Sequence, residues 1–219
     1  MKIAIIGAGN IGGNLTRRLT ALGHEVAVAN SRGPETLADL AAETGATALP
    51  VDQVARDAEV VVVTIPQGRV PDLPAGVLDS AADGAVVIDT GNYYPQQRDG
   101  RIDEIEDGLT ESEWVSRRLG VPVVKAFNNV YADHLLTRGR PEGDPERAAL
   151  PVAGDDQEAK EVVLALVDEL GFDGVDAGPL SQSWRQQPGT AVYGTDLPAE
   201  PLREALASAS PERTPEWRA

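Results

Sequence analysis

Short apolar runs recur along this chain, and polar stretches with helical spacing separate them. The runs are "KIAII" (2–6), "EVAVA" (25–29), "EVVVVTI" (59–65), "AVVID" (85–89) and "PVVKAF" (122–127). Most are apolar at successive positions rather than at alternate ones, so both faces of each strand are expected to be covered, as in a parallel sheet buried between helices. Apolar residues at helical spacing over 10–22, 34–44 and 71–82 supply the crossovers. The pattern predicts an α/β protein with a Rossmann-like, doubly wound, mostly parallel sheet and helices on both faces.

Two stretches depart from that rhythm. Residues 93–120 are polar and acidic, which predicts a solvated insertion, with a helix over 111–119 capped from Thr110. Farther on, "ALPVAG" (149–154), a helical pattern at 156–170 and "GFDGVDAG" (171–178) are expected to add a strand, helix and strand to the same sheet. The division is therefore a main domain over 1–183 and a C-terminal extension over 184–219, whose proline and glycine content predicts loose packing.

The composition narrows the chemistry. In 219 residues, 19 Lys and Arg stand against 35 Asp and Glu, a net charge of −16 that repels phosphate backbones and argues against a nucleic-acid partner. There is no cysteine, so neither a disulfide framework nor a thiolate metal site is expected. The two histidines, His24 and His134, form no ligand motif, and no metal is expected. No apolar run approaches the ~18 residues a membrane span requires, and a soluble cytoplasmic protein is expected.

The strongest motif is "GAGNIGG" (7–13), in which Gly7, Gly9 and Gly12 form G-x-G-x-x-G between a strand and a helix, with Asn10 and Ile11 at the helix opening. The first glycine permits a tight turn, the second lets the backbone approach a pyrophosphate, and the third allows helix and strand to pack closely. Free N–H groups at the helix start face the phosphates. At the tip of the second strand the sequence reads Asn30-Ser31-Arg32. An acidic residue there would accept from both ribose hydroxyls; these residues instead offer donors and a fixed positive charge, which selects the 2′-phosphate of NADP. The ends of two further strands bring Thr64, Ile65 and Pro66, and Asp89 to Asn92, to the same edge. Asn92 is read either as a strand-end turn residue or as a contact for the nicotinamide ribose or amide.

Taken with "NSRGPE" (30–35), "VVKAFNN" (123–129), "LPVAGDDQEAKEVV" (150–163) and "VDAGPLSQS" (175–183), the glycine motif makes residues 1–183 resemble the coenzyme F420-dependent NADP reductases. The chain is also similar to the NADPH-binding domains of the six-transmembrane metalloreductases. The resemblance implies hydride exchange between NADP(H) and a stacked flat redox cofactor, coenzyme F420, with the 2′-phosphate at Ser31 and Arg32 and the nicotinamide bordered by Ile65, Pro66, Ala126 and Asn128. It also implies a homodimer. Asn128 and Tyr131 are the candidate catalytic residues: an amide can hydrogen-bond developing charge but cannot supply a proton.

Beyond "GPLSQS" the family continues as an apolar helix, whereas this chain is polar and broken by Pro and Gly, so the acceptor pocket is expected to differ. Trp184, Arg185, Tyr193 and Tyr131 are read either as its lining or as packing residues. Lys125 is expected to be structural or to orient the cofactor, and His134 and His24 to be structural. Two other functions stay open: NADPH-dependent reduction of a flavin, quinone or imine, and a non-catalytic NADP(H)-sensing module.

Overall fold

The computed structural model describes residues 1–219. Six parallel strands form the main sheet: β1 (Lys2–Ile6), β2 (Glu25–Ala29), β3 (Thr47–Ala48), β4 (Val60–Val63), β5 (Val86–Asp89) and β6 (Val124–Lys125). Their spatial order is β3-β2-β1-β4-β5-β6, the doubly wound order, whose reversal between β1 and β4 opens a crevice at the carboxyl edge.

Alternation along the strands builds two cores. Ile3, Ile5, Val60 and Val62 lie in the core shared with α1 (Asn10–Ala21), α2 (Ala38–Thr44), α5 (Ala132–Thr137) and α6 (Gln157–Glu169), while Ala4, Ile6, Val61 and Val63 face the opposite layer. That second layer includes α3 (Asp103–Glu106) and α4 (Glu111–Leu119). The predicted helix at 111–119 is present, closed by a reciprocal capping box between Thr110 and Glu113. The surrounding stretch is not the solvated insertion that its polarity predicts, because Tyr93, Ile105, Trp114 and Val115 are all buried in the second core.

Three further expectations are corrected. The helix predicted over 71–82 is replaced by a 3-10 segment at Gln67–Asp72 followed by turns. Pro71 and Pro74 lack N–H donors, and Gly76 at φ 72° leaves the helical region. The later strands, β7 (Ala149–Val152) and β8 (Asp173–Asp176), do not extend the main sheet but form a separate parallel pair bridged by α6. The only backbone bridge to the main sheet is antiparallel, between Ala153 and Lys125; with opposed direction and a single bridge, no continuous ladder forms.

The third correction concerns the extension. Residues 184–208 are not loosely packed. Here α7 (Ala199–Ser208) places Leu202 and Leu206 beside Val192 against Ala149 and Val175, forming a small third core. Burial of such side chains contributes about 1.5–3 kcal/mol each. The last residues then return across the main domain: Gln96 donates to the carbonyls of Pro215 and Arg218, both at 2.9 Å.

Candidate active site

The glycine motif occupies the crevice, and each glycine has a distinct steric reason. A Cβ on Gly7, whose φ is 112°, would lie 2.3 Å from the Thr64 carbonyl oxygen, and one on Gly12 would lie 1.9 Å from that of Gly7. Both positions thus pack α1 against β1 and β4. Gly9 is different: a Cβ there would meet nothing within 4 Å, so its surface is open to the cleft. Gly9 is also the N-cap of α1 and carries no side-chain cap, which leaves the first N–H groups and the positive end of the helix dipole facing that space. This cradle fits a pyrophosphate.

From the cradle the cleft runs two ways. One arm is a cavity of about 380 Å³ bounded by Gly7, Gly9, Ser31, Arg32, Ile65 and Arg69. Asn30 lines it too, but its side chain closes the local turn, accepting from the Arg32 N–H at 2.9 Å and donating to Thr36 Oγ1 at 2.9 Å. Ser31 and Arg32 are exposed at the mouth. Arg69 is a second cation that sequence reading missed; it is paired with Asp72 at 2.8 Å. Its place within the irregular 67–82 segment hid it.

The other arm, about 450 Å³, shares Gly9, Thr64, Ile65 and Pro66 with the first and adds Asn10, Ile11, Asn92, Asn128 and Tyr131. The structure thus collects nearly all the anticipated site residues along one edge. Ala126 is an exception: it is fully buried in the first core and does not border the cleft, where Phe127 takes its place at a left-handed φ of 60°.

Asn128 lines this arm with its hydrogens already committed. Its Nδ2 donates to Asn92 Oδ1 at 3.0 Å and to the Gln186 carbonyl at 2.7 Å, while its Oδ1 accepts from Gln186 Nε2 at 2.9 Å. Asn92 in turn donates to the Asn128 carbonyl at 2.8 Å. In this arrangement the amide expected to stabilise developing charge ties the cleft wall together. Tyr131 stands at the rim, 53% exposed.

Two residues missed as site residues, Tyr94 and Arg98, also line the arm, beside Tyr193. Tyr94 and Tyr193 are hydrogen-bonded through their hydroxyls, and the Arg98 guanidinium lies 4.8 Å from the Tyr94 ring centre. Burial, first, and the Tyr193 hydroxyl, second, push the Tyr94 phenol well above its ordinary range. The adjacent pair "YY" after Asn92 was the available signal, since one tyrosine of two at a strand end turns into the core, here Tyr93, and the other turns out. Trp184 and Arg185 do not line the cleft; the guanidinium lies 5.4 Å from the indole and the two pack on each other.

Behind the wall lies a buried ion cluster. Lys125 Nζ, 1% exposed, donates to Asp89 Oδ2 at 3.1 Å and stands 3.9 Å from Glu111 Oε2. Arg213, from the returning C-terminus, donates to Glu111 Oε1 at 2.9 Å. Burial pushes the Glu111 carboxyl above its usual range, opposed by Lys125 and Arg213. Lys125 thus sits in a buried ion cluster, which fits the structural one of the two roles the sequence reading gave it. Asp89 also accepts from Ser112 Oγ and the Gly91 N–H, which fixes the turn leading to Asn92. His134 pairs with Asp196 and His24 with Glu169, both outside the cleft. No group of three or more His, Asp or Glu residues is arranged to hold a metal ion, and no helix is long and apolar enough to cross a membrane.

Comparison with known proteins agrees with this geometry. Residues 2–93, which hold the glycine motif and the first five strands, match the family described as NADP oxidoreductase, coenzyme F420-dependent. The first half of the chain thus resembles this family. Beyond the matched residues, the crystal structure of hypothetical protein SMa0349 from Sinorhizobium meliloti superposes with a TM-score of 0.75 at 31% identity, covering 90% of this chain and 95% of that one. A candidate F420-dependent NADP reductase from Arthrobacter sp. FB24 shares the fold at a TM-score of 0.64 and 24% identity, over 84% of this chain and 87% of that one. Metalloreductase STEAP3 of Rattus norvegicus is 27% identical over 183 residues, 83% of this chain and 35% of that protein. The chain spans about half or less of the length of the curated relatives it matches. The chain therefore shares the Rossmann-like fold of these proteins, and its first half resembles an NADP oxidoreductase family.

Proposed function

We propose that this protein exchanges hydride between NADP(H) and a flat redox acceptor, with coenzyme F420 as the first candidate. The observation that carries this reading is the continuous cleft: an arm ending at Ser31, Arg32 and Arg69, an open pyrophosphate cradle at Gly9, and a second arm large enough for a planar ring. Arg32 and Arg69 would hold the 2′-phosphate, and the N-terminus of α1 the pyrophosphate. Ile65, Pro66, Asn92 and Phe127 would border the nicotinamide. When bound, the dihydronicotinamide supplies the hydride. The chain's own contribution is to fix the stacking distance and exclude water, for which the packed Asn92–Asn128–Gln186 wall is suited. The open second arm favours turnover over a purely sensing role.

The test is anaerobic mixing of the protein with oxidised F420 and NADPH, following loss of the deazaflavin absorbance, with NADH and FMN in parallel. Bleaching that depends on protein and prefers NADPH supports the reading. NADPH binding with no bleaching moves the acceptor to another compound.

A further inference from the structure

The second arm holds an acid-free, tyrosine-lined end whose tyrosines lie outside the residues matched to the reductase family. Its lining includes no Asp, Glu, His or Lys, and Arg98 supplies its one fixed charge. Arg98 is tethered, bonding the carboxylate of Asp99 and the Asn92 carbonyl. Tyr94 follows β5, whereas Tyr193 comes from the C-terminal extension, and their hydroxyls meet at the cleft. Both rings are backed by Trp217, at 5.7 and 6.5 Å between centres. The segment carrying Tyr193 is pinned by the Gly194 N–H donating to the Asn129 carbonyl at 2.8 Å.

The two hydroxyls own two hydrogens and use one between them. Whichever donates, one hydrogen remains for a ligand. Because the Tyr94 phenol is held above its ordinary range, its hydrogen stays in place near neutral pH.

We infer that the Tyr94–Tyr193 hydroxyl pair donates a hydrogen bond to an oxygen of the hydride acceptor, and so selects flat acceptors that carry a conjugated carbonyl. The inference rests on the cleft being a hydride-transfer site. As a ring carbon takes the hydride, the displaced π electrons move onto the conjugated oxygen, where the tyrosine hydrogen and the nearby Arg98 charge meet them; water supplies the proton of the finished product. Donors fixed where charge develops are worth about 10²–10³ in rate each.

Two readouts test this. The first is affinity, followed by tryptophan fluorescence with NADP+ present, for 2-hydroxy-1,4-naphthoquinone, which carries an anionic conjugated oxygen at neutral pH, against unsubstituted 1,4-naphthoquinone. The wild type should prefer the hydroxyquinone at least tenfold, and Tyr94→Phe/Tyr193→Phe should lose that preference while binding NADPH within about twofold of wild type. Absence of the preference in the wild type, or its survival in the double variant, overturns the inference. The second readout is the F420 reaction, where the double variant should be slowed about 100-fold or more, and unchanged rates overturn the inference even though F420 is the acceptor. If F420 is not reduced at all, the acceptor reading fails and the quinone affinities still decide the role of the pair. Thermal melts of the variants confirm folding.

Discussion

Removal of the Arg32 guanidinium tests the cofactor assignment most directly. Arg32 stands exposed at the mouth of the first arm with its backbone N–H already held by Asn30, so Arg32→Ala deletes a side chain without disturbing the turn. A guanidinium on a phosphate makes charge-assisted bonds worth about 1.5–3 kcal/mol apiece. Exposure and salt screening reduce the pair to roughly the value of one such bond. At about 1.4 kcal/mol per tenfold, the dissociation constant for NADPH should rise about 10- to 150-fold, and that for NADH by no more than about twofold. Arg69 remains, paired to Asp72, so some preference for NADPH should survive in the single variant and vanish in Arg32→Ala/Arg69→Ala. Isothermal titration of the three proteins with NADPH and NADH, at low and physiological salt, measures these affinities, and the NADPH penalty should shrink as salt rises. Equal losses for NADPH and NADH would refute the assignment of this arm to the 2′-phosphate.

Other consequences follow from the same structure. Gly12→Ala forces a methyl into the Gly7 carbonyl and should destabilise the cofactor-free protein by about 1–3 kcal/mol. Gly9→Ala should leave that melt nearly unchanged and weaken NADPH binding at least tenfold; the reverse ranking of the two melts would contradict the steric argument. Lys125→Met strips a cation from two buried carboxylates at a cost of about 3–5 kcal/mol, a fall in Tm of roughly 6–20 °C for a chain of this size. Glu111 has a raised carboxyl pKa, so the folded state holds its proton longer than the unfolded chain does. That contribution to stability is present below the ordinary carboxylate range and is lost as pH rises through the raised value. Glu111→Gln should therefore gain stability relative to wild type as pH climbs from acid toward neutral, and melts showing a flat or opposite trend would sink this account.

The crevice and its glycines were readable in the sequence because they are local. The strand, tight turn and helix around Gly7, Gly9 and Gly12 lie in one short segment, and the steric demands that require glycine act mostly within it. Arg32 was legible for the same reason, at the tip of the next strand. Tyr94 was not: nothing in "NYYPQQ" says which tyrosine faces the cleft until Tyr93 is seen buried against the second core. The hydrogen-bond partners of the Asn128 amide were not legible either, because Gln186, which occupies it, lies in the extension.

The sequence by itself determined the doubly wound sheet, the site of the pyrophosphate cradle and the positive end of the cleft, because periodicity, turn chemistry and charge are properties of neighbouring residues. Only the tertiary structure decided what stands over the second arm. The polar C-terminal extension has no periodic signal strong enough to predict its packing, yet it supplies Tyr193 to Tyr94, Gln186 to Asn128 and Arg213 to Glu111. Each of those pairs gains its energy from burial and hydrogen bonding between segments far apart along the chain, and such contacts exist only once the sheet has brought the segments together.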